Sequence, residues 1–374
     1  MLEKYGFEKL SVEKGEAPPT VVLGMSGGVD SSVSAYILKW QGYNVIGLFM
    51  KNWEEVGDGD FCTAEQDYSD VKRVCESLDI PYYAVNFSKQ YMENVFKQFL
   101  DGLEKGYTPN PDILCNREIK FGPFLDYAKK IGADFIATGH YCRVKKSGNY
   151  FQLLKAIDDK KDQSYFLCAL NQEQLSKVIF PIGNLRKEQV REIAGELGLV
   201  TAKKKDSTGI CFIGERKFRD FLKGYFGNQS GDIKTLQGEV IGRHEGLMYY
   251  TLGQRKGLGI GGKKDMDESR WFVVQKDLKN NVLVVNNGEC DELFTKELIA
   301  TNFNSIGNMD EQLGVRFSCM AKTRYRQPDQ ECEVEILSKN EIRVIFKKSQ
   351  RAVTPGQWVV LYDGDRCLGG GIIC

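Results

Sequence analysis

The chain has 374 residues, of which 42% are hydrophobic, 27% are charged and 11% are aromatic. This length and composition predict an ordinary globular protein of two or three domains. Lysine plus arginine and aspartate plus glutamate both total 51, so no global field attracts nucleic acid and any polyanion site must be a local patch. The start of the chain lacks the apolar segment of a signal peptide, and no stretch approaches the about 18 apolar residues that span a bilayer.

Cysteine and histidine usage bears on the cellular compartment and on metal binding. The chain has 11 cysteines but only two histidines, His140 and His244. An odd number of scattered cysteines and the lack of a targeting segment predict reduced thiols in a cytoplasmic protein without a membrane partner. No C-x-x-C pair occurs, so we expect no protein-held metal site of the zinc or iron–sulfur type.

Strands and helices alternate in the first half of the sequence. The pattern predicts strands at TVVLGM (20–25), NVIGLFM (44–50), PYYAVNF (81–87) and ADFIATGH (133–140), and helices at 30–41, within 64–80 and at 121–131. Near-continuous apolar strands that alternate with helices indicate a parallel sheet covered on both faces. The carboxyl ends of such strands form the binding crevice, so the Gly24–Ser32 loop and the TGH segment are predicted to lie there.

The character of the sequence changes after about Val200. A polar, basic segment, TAKKKDSTGICFIGERKF, is followed from about Gly238 by short β-rich runs separated by glycines, which is typical of a compact linker domain and then a small β-barrel or sandwich. We predict an N-terminal extension at 1–19, disordered or loosely packed, an α/β domain at 20–215, a central domain at 216–287 and a C-terminal β domain at 288–374.

The segment GMSGGVDSS, from Gly24 to Ser32, follows the first predicted strand and opens a helix. Its glycines let backbone N–H groups approach phosphate, and the helix adds its positive N-terminal end. No lysine follows the glycines, as one would in a loop that assists terminal phosphoryl transfer. We therefore predict a loop that binds pyrophosphate as a leaving group, with attack at the α-phosphate. Asp30 is either the N-cap of the helix or a Mg²⁺ ligand, and these two roles are compatible.

GMSGGVDSS resembles the SGGxDS signature of the PP-loop ATP pyrophosphatases, which adenylate a carbonyl oxygen and release pyrophosphate. Longer segments, from about Val21 to Ile373, resemble the bacterial tRNA-specific 2-thiouridylase family: GLFMKNW, TPNPDILCNREIKFG, ATGHY, KDQSYFL, AKKKDSTGICFIGERKF, TLGQRKGLGIGG and KTRYRQ. The resemblance implies an α/β fold class, with an N-terminal doubly wound, mostly parallel sheet of the PP-loop type, a small central domain and a C-terminal β-barrel that contacts tRNA.

The same resemblance implies ATP-dependent 2-thiolation of the wobble uridine of tRNA. ATP and Mg²⁺ would be the cofactors. The partners would be the tRNAs for lysine, glutamate and glutamine and a persulfide donor, either a cysteine desulfurase or a relay protein. ATP contacts are implied at Gly24, Met25, Ser26, Gly27, Gly28, Val29, Asp30 and Ser31, with Met50 and Gly139 beside the adenine. Without the resemblance, Met50 is most simply a core residue.

Two cysteines far apart in sequence stand in polar, basic surroundings. Cys115 precedes Asn116 and Arg117, and Cys211 follows the lysine run 203–205. Nearby positive charge favours the thiolate that sulfur chemistry needs. The resemblance implies that Cys115 is the nucleophile, that Cys211 carries the persulfide and that the two form a transient disulfide. Cys75, Cys168, Cys332 and Cys367 lie in apolar patterns and are predicted to be buried, non-catalytic thiols.

Asp112, three residues before Cys115, is predicted either to act as an acid or base or merely to cap the helix. The resemblance implies that Asn110, Pro111 and Asp112 face the target base. It further implies tRNA contacts at His140, Lys161, Asp162, Gln163, Arg324, Tyr325 and Gln357. On its own, His140 is equally well a hydrogen-bonded structural histidine, whereas arginine beside tyrosine in KTRYRQ favours base stacking with phosphate contact.

Two other functions are compatible with the loop. One is a PP-loop synthetase that forms amides with an amine nucleophile, and its activity would not depend on cysteine. The other is a non-catalytic adaptor that binds ATP and RNA without releasing pyrophosphate. The paired cysteines argue against both.

Overall fold

A computed structural model describes residues 2–13, 15–53, 63–206, 218–260, 270–307 and 313–374. The α-helices of these residues are α1 (Val29–Gln41), α2 (Thr63–Ser77), α3 (Ser88–Tyr91), α4 (Lys97–Glu104), α5 (Pro111–Cys115), α6 (Pro123–Lys130), α7 (Gln172–Ser176), α8 (Lys187–Glu196) and α9 (Phe218–Phe226). Two π-helical segments, Met92–Phe96 and Asn116–Lys120, follow α3 and α5 directly.

The strands are numbered in chain order. They are β1 (Thr20–Met25), β2 (Asn44–Lys51), β3 (Tyr82–Asn86), β4 (Phe135–Thr138), β5 (Cys142–Ser147), β6 (Tyr150–Lys155), β7 (Val178–Ile179), β8 (Gly231–Thr235), β9 (Val240–His244), β10 (Trp271–Asp277), β11 (Val282–Asn287), β12 (Phe294–Ser305), β13 (Arg316–Lys322), β14 (Gln330–Ser338), β15 (Glu341–Arg351), β16 (Trp358–Asp363) and β17 (Arg366–Ile373).

The N-terminal sheet confirms the predicted doubly wound α/β fold. Its strand order is β3-β2-β1-β4-β7, and every neighbouring pair is parallel. Central strand β1 is apolar because both faces are covered, and Val21, Val22 and Leu23 have no exposed surface. The order reverses between β2 and β4 on either side of β1, and ligands bind at such a switch point beyond the carboxyl ends of the strands. The loop after β1 and the TGH segment after β4 meet there.

The first residues of the N-terminal extension are packed against the sheet domain, so the prediction of a disordered or loosely packed segment is wrong for that part, whereas residues 11–13 and 15–18 are exposed. Leu2 is fully buried in a cluster with Val33 of α1 and Val190 of α8. The Lys4 ammonium pairs with Glu192 and lies 3.0 Å from its carboxylate. An apolar residue near the chain start was the sequence signal for this contact, but nothing in the sequence identified its partners.

The C-terminal domain is a closed β-barrel of six strands, as predicted. The strands follow the order β12-β15-β14-β13-β16-β17, and β12 pairs back with β17 to close the barrel. The sequence analysis missed the hairpin formed by β5 and β6, which leaves the α/β domain and pairs antiparallel with β17. The barrel and the α/β domain therefore share one hydrogen-bonded sheet.

The central domain is built on a smaller sheet of order β10-β11-β8-β9. Helix α9 attaches it to the α/β domain through an aromatic cluster in which the ring of Phe221 lies 5.7 Å from both Trp53 and Phe96. Offset or edge-on aromatic pairs at such distances stabilise a contact beyond the area they bury. In the described part of the chain, no helix has the length and apolar character needed to cross a membrane.

Candidate active site

The loop after β1 has a backbone that only glycine accommodates. Gly27 has φ +73°, and a Cβ added there would lie 2.5 Å from the carbonyl oxygen of Asp67 in α2. Ser31 Oγ donates to the Gly28 carbonyl at 3.1 Å and accepts from the Ser26 amide at 3.2 Å, which holds the turn closed. Ser26 itself is exposed beyond the end of β1. This shape is that of an anion cradle at a helix N-terminus.

The residue that follows β4, one of the two neighbours of β1, also lies close to this loop. A Cβ on Gly139, which follows β4, would lie 2.9 Å from the Ser31 amide, so only glycine lets the two segments meet. Met50 is 7% exposed and its methyl group lies 3.2 Å from the Cβ position of Gly24. The interpretation of Met50 as a core residue is confirmed, while its role beside an adenine stays a prediction.

Asp30 is not the N-cap of α1, so that half of the prediction is wrong. Gly28 occupies the cap position, and no side chain caps the helix. The Asp30 carboxylate instead accepts from Tyr141 Oη at 2.8 Å and from Lys187 Nζ at 2.8 Å to each oxygen. It lies two residues past the cap because α1 begins at Val29.

Lys187 is the first residue of α8, and the sequence analysis missed it. Its ammonium, in a side chain only 9% exposed, lies 2.7 Å from Asp206 as well as against Asp30. Asp206 also accepts from Lys161 at 2.6 Å and from Arg191 at 2.9 Å. Although partial burial opposes ionisation, hydrogen bonds from Lys161 and Lys187 lower the pKa of Asp206 to about 2.

This charged array, made of Asp30, Lys161, Lys187, Arg191 and Asp206, connects the loop to other predicted site segments. Lys161 belongs to the KDQ segment predicted to contact tRNA, and Asp206 is the last described residue before the segment that carries Cys211. Its members come from four separate places in the sequence, since Lys187 and Arg191 are both in α8, so no single motif could have identified it. Cys211, Lys217 and the rest of residues 207–217 lie outside the described residues.

A second lysine supports the loop from the side of α2. Lys204 Nζ lies 2.7 Å from Asp67 and 2.6 Å from Asp70. The backbone carbonyl of Asp67 leaves no room for a side chain at Gly27. The ion pair between Lys204 and Asp67 therefore holds in place the part of α2 that borders the glycine loop. At least one member of the basic run 203–205 is thus a structural partner of the loop.

Helix α5 carries the predicted nucleophile, and its start is built by the NPD segment. The Asn110 side chain accepts from the amides of Asp112 and Ile113, and Pro111 occupies the first turn. Asn110 is therefore the cap, and the alternative in which Asp112 caps the helix is wrong. Cys115 ends α5 with no exposed surface, in the cluster that also contains Met50 and Phe124.

The residue after Cys115 connects this helix to the barrel. Asn116 Nδ2 donates to the carbonyl of Phe166 at 2.9 Å. The Phe166 ring in turn lies 4.4 Å from the ring of Tyr325, between centroids, at an angle of 48°. Tyr325 is half-buried while Arg324 beside it is exposed. Asn116, Phe166 and Tyr325 thus form one contiguous wall, which joins the predicted nucleophile segment to the TRYR segment.

Three domains meet at Thr108, two residues before Asn110. Its carbonyl accepts from Gln357 Nε2 at 2.6 Å, and its amide donates to Pro355 of the same barrel loop at 2.9 Å. Its hydroxyl lies 3.3 Å from that of Thr251 in the central domain. Gln357, predicted to contact tRNA, therefore also holds the barrel against the segment that enters α5. The sequence analysis did not identify Thr108.

The remaining predicted tRNA contacts are largely buried in this structure. His140 Nδ1 lies 2.8 Å from Thr138 Oγ1, and burial together with the charge of Lys120 holds the pKa of His140 well below its usual value, so the imidazole is neutral. Asp162 accepts from the amides of Ala156 and Ser164 and is 6% exposed. Gln163 accepts from the Tyr141 amide at 2.9 Å. Whether these residues touch tRNA stays a prediction.

The buried thiols outside the site fit their predicted role. Cys75, Cys168 and Cys367 have no exposed surface and Cys332 is 6% exposed. Burial raises the pKa of Cys75 to about 11 and that of Cys367 to about 12. The thiols of Cys75 and Cys367 therefore stay protonated, and all four cysteines act as small apolar side chains.

A glycine loop that follows the central strand of a parallel sheet and opens a helix, without a lysine of its own, defines the PP-loop class of nucleotide-binding α/β domains. Profiles described as tRNA methyl transferase HUP domain, tRNA methyl transferase PRC-barrel domain and aminomethyltransferase beta-barrel domain match residues 19–215, 219–287 and 295–373. The tRNA-specific 2-thiouridylase MnmA of Bacillus cereus is 56% identical over 354 residues, which is 94% of each chain.

The protein of the same name from Bacillus subtilis is 56% identical over 363 residues, 97% of this chain and 96% of that one. A solved structure, the U34-tRNA thiolase NcsA from Methanococcus maripaludis, is 20% identical, has a TM-score of 0.38, and is matched over 60% of this chain and 72% of its own. The chain belongs to the tRNA-specific 2-thiouridylase family, as the sequence motifs indicated.

Proposed function

We propose that this chain is a tRNA-uridine 2-sulfurtransferase that uses ATP to replace the C2 oxygen of the wobble uridine with sulfur. The observation that carries the proposal is the set of contacts made on either side of the end of α5. Cys115 packs in one core cluster with Met50 and Phe124, whose side chains border Gly24 of the glycine loop. The next residue, Asn116, bonds to Phe166, whose ring packs on Tyr325 of the TRYR segment. Family membership supports the same activity, since the relatives at 56% identity are named tRNA-specific 2-thiouridylases.

The loop fits the phosphates of ATP. Gly27 and Gly139 let neighbouring backbone approach the loop more closely than a Cβ would allow, and the exposed Ser26 hydroxyl and the start of α1 supply donors. Among the described residues, no cluster of three or more histidine, cysteine or acidic side chains could hold a metal. We propose that Mg²⁺ accompanies ATP, bound to its phosphates.

The chemistry begins at a poor electrophile, because the C2 carbonyl of uridine is amide-like. Its oxygen attacks the α-phosphorus and pyrophosphate leaves, so the oxygen departs later as part of AMP. In a direct route, the terminal sulfur of a Cys211 persulfide attacks C2 and displaces AMP, and Cys115 then attacks the inner sulfur and breaks the remaining sulfur–sulfur bond. In the alternative route, Cys115 attacks the persulfide first and releases bound sulfide, which attacks C2 and displaces AMP. In both routes the two cysteines end as a disulfide that an external thiol must reduce. Cys211 lies outside the described residues.

This scheme requires the buried Cys115 thiol to become accessible. The thiol has no exposed surface in the structure, whereas attack on a persulfide needs an accessible thiolate. We propose that the flipped uridine, which costs a few kcal/mol to unstack, displaces part of the wall formed by Asn116, Phe166 and Tyr325. Half-buried Asp112 stands at the start of the same helix, where it can exchange a proton with the base. The tRNAs for lysine, glutamate and glutamine are the proposed substrates, a persulfide-bearing protein the donor and the cytoplasm the location.

The test is mass spectrometry of tRNA incubated with the protein, ATP, Mg²⁺ and a persulfide source. We expect sulfur in place of one oxygen with the wild type, no thiolation with Cys115→Ser or Cys211→Ser, and pyrophosphate release that survives in Cys211→Ser. Cys374→Ser is the matched control, because that thiol is exposed at the chain end. Thiolation by either site variant would overturn the sulfur route. If the wild type released pyrophosphate without incorporating sulfur, the result would favour the amide-forming alternative. If the wild type bound tRNA without releasing pyrophosphate, the result would favour the adaptor.

A further inference from the structure

The segment that carries Cys211 follows a stem that is fixed by contacts on several sides. We call residues 201–206 the stem, and Cys211 is five residues beyond its end. Thr201 opens the stem with no exposed surface, and its hydroxyl donates to Ser32 Oγ of α1 at 2.9 Å. Asp206, at the other end of the stem, belongs to the charged array. A chain of five residues spans at most about 18 Å, so the stem limits how far Cys211 can lie from the glycine loop.

Arg191 holds the stem along its length. It lies one turn after the start of α8, and 35% of its side chain is exposed. Nη1 donates to the carbonyls of Ala202 and Lys204, at 2.9 and 3.1 Å, and Nη2 donates to the Asp206 carboxylate at 2.9 Å. A guanidinium presents five donors in a fixed planar fork. One side chain therefore fixes three alternate residues of the stem at once.

The packing of α8 does not depend on these contacts. The apolar face of the helix is buried in the cluster that also contains Leu2, through Val190, Ile193 and Ala194. Arg191 is partly exposed, and within the described residues its hydrogen bonds all go to the stem. Loss of its side chain should therefore leave the core of the α/β domain intact and release the stem from α8.

The opposite side of the stem is held by α2. The Lys204 ammonium pairs with Asp67 and Asp70 of that helix, while the Lys204 carbonyl accepts from Arg191. The stem thus lies between α8 and α2, and Asp67 of α2 borders the glycine loop at Gly27. A group transfer is sensitive to such placement, because misplacing a reacting group by about 1 Å can slow a reaction by about 100-fold.

We propose, on the basis of the function proposed above, that Arg191 is a positioning residue for sulfur transfer. By holding the stem between α8 and α2, it keeps the chain that leads to Cys211 at the glycine loop, where the adenylated uridine forms. Adenylation itself joins the uridine oxygen to the α-phosphorus of ATP and uses no sulfur. Arg191 therefore acts on the second half of the reaction, after pyrophosphate has left.

A purely structural arginine would give a different pattern of rates. If Arg191 only stabilised the α/β domain, its loss would impair pyrophosphate release and sulfur incorporation alike. If it positions the segment that carries Cys211, adenylated uridine still forms, so pyrophosphate appears at the normal rate and sulfur follows slowly. The ratio of the two rates separates these roles even if the variant is less stable, because unfolded molecules perform neither step.

The experiment follows one turnover of tRNA by the full chain in excess, with ATP, Mg²⁺ and a persulfide source, and measures pyrophosphate and incorporated sulfur in the same samples. We expect Arg191→Ala to slow sulfur incorporation by about 10- to 100-fold and pyrophosphate release by less than about twofold. Arg143→Ala is the matched control, because Arg143 likewise binds a carbonyl, that of Lys155, and a carboxylate, that of Asp365, but in the β5–β6 hairpin. It should leave both rates unchanged. Equal slowing of both steps by Arg191→Ala, or no change in either, would refute the proposal.

Arg191→Lys provides a second test, which decides the matter if the alanine variant does not fold. Lysine keeps the charge but lacks the planar fork, so we expect a smaller loss of the sulfur rate with pyrophosphate release unchanged. A wild-type sulfur rate in this variant would show that charge alone is required and would count against positioning by the fork. A thiolating wild type whose Arg191 variants keep both rates would contradict the role of Arg191 alone. A wild type that releases pyrophosphate but never thiolates would overturn the proposed function, and the role of Arg191 with it.

Discussion

The loop after β1, proposed to bind ATP, and the segment that enters α5, proposed to face the target base, are assembled differently. We refer to them as the nucleotide side and the base-facing side of the proposed site. The loop after β1 is shaped by segments of the α/β domain: Gly139 from the next strand, Asp67 from α2 and Lys187 from α8. The base-facing side joins three domains, since Thr108 binds the barrel through Gln357 and touches the central domain through Thr251.

Because of this difference in assembly, we expect mutations on the two sides to affect different ligands. Contacts within one domain form when that domain folds, so the loop is preorganised before any ligand arrives. Contacts between domains form only when the domains dock, and such interfaces are more polar and more mobile than a core. We therefore expect ATP binding to depend on backbone geometry at the loop and tRNA binding to depend on the docking of the barrel.

The largest effect is expected from Gly27→Ala. The new Cβ would lie 2.5 Å from the Asp67 carbonyl and alanine would adopt a φ of +73°, a strain of about 1–3 kcal/mol before any steric overlap is counted. We expect ATP affinity to fall by about 100-fold while tRNA binding changes little, as measured by equilibrium titration of each ligand. Gly132→Ala is the control, since Gly132 has φ +84° with open space around it. Loss of tRNA binding in parallel would show that the two sides are not independent.

A smaller effect, of opposite selectivity, is expected from Tyr325→Ala. The change removes a ring that packs on Phe166 at 4.4 Å and, on the proposed function, stacks on RNA. Stacking of a base on an aromatic ring contributes about 1–3 kcal/mol, so tRNA affinity should fall by about tenfold with ATP affinity unchanged. Tyr325→Phe keeps the ring and should bind tRNA as the wild type does. Unchanged tRNA affinity in the alanine variant would remove Tyr325 from the RNA surface.

The smallest effect is expected from Gln357→Ala. It removes the side-chain hydrogen bond to the Thr108 carbonyl but leaves the backbone bond from Thr108 to Pro355. A net loss of about 1 kcal/mol should raise the KM for tRNA by about fivefold and leave the KM for ATP unchanged. Gln98→Ala is the control, because that exposed glutamine donates to the Asn94 carbonyl of the same helical stretch. A change in the ATP KM instead would place the Thr108 junction on the nucleotide side.

Sequence reasoning was most accurate where local patterns determine structure. It identified the parallel sheet, the loop after β1 and the four buried thiols. It was wrong about both proposed caps, since Gly28 and Asn110 rather than Asp30 and Asp112 occupy those positions. A carboxylate near a helix start is consistent with either a cap or a long-range partner, and only a contact such as that of Asp30 with Lys187 decides between them.

By itself, the sequence determined the family, the order of elements in the sheet domain and the backbone demanded by the glycines, because these follow from residues close together along the chain. Only the tertiary structure decided which distant side chains meet. Lys187 at the phosphate loop, the β5–β6 hairpin on the barrel, Leu2 in the core and the junction at Thr108 all join segments far apart in sequence. The physical reason is that burial and charge pairing require only a partner of suitable chemistry. The docking of whole elements, rather than any local signal, selects which partner that is.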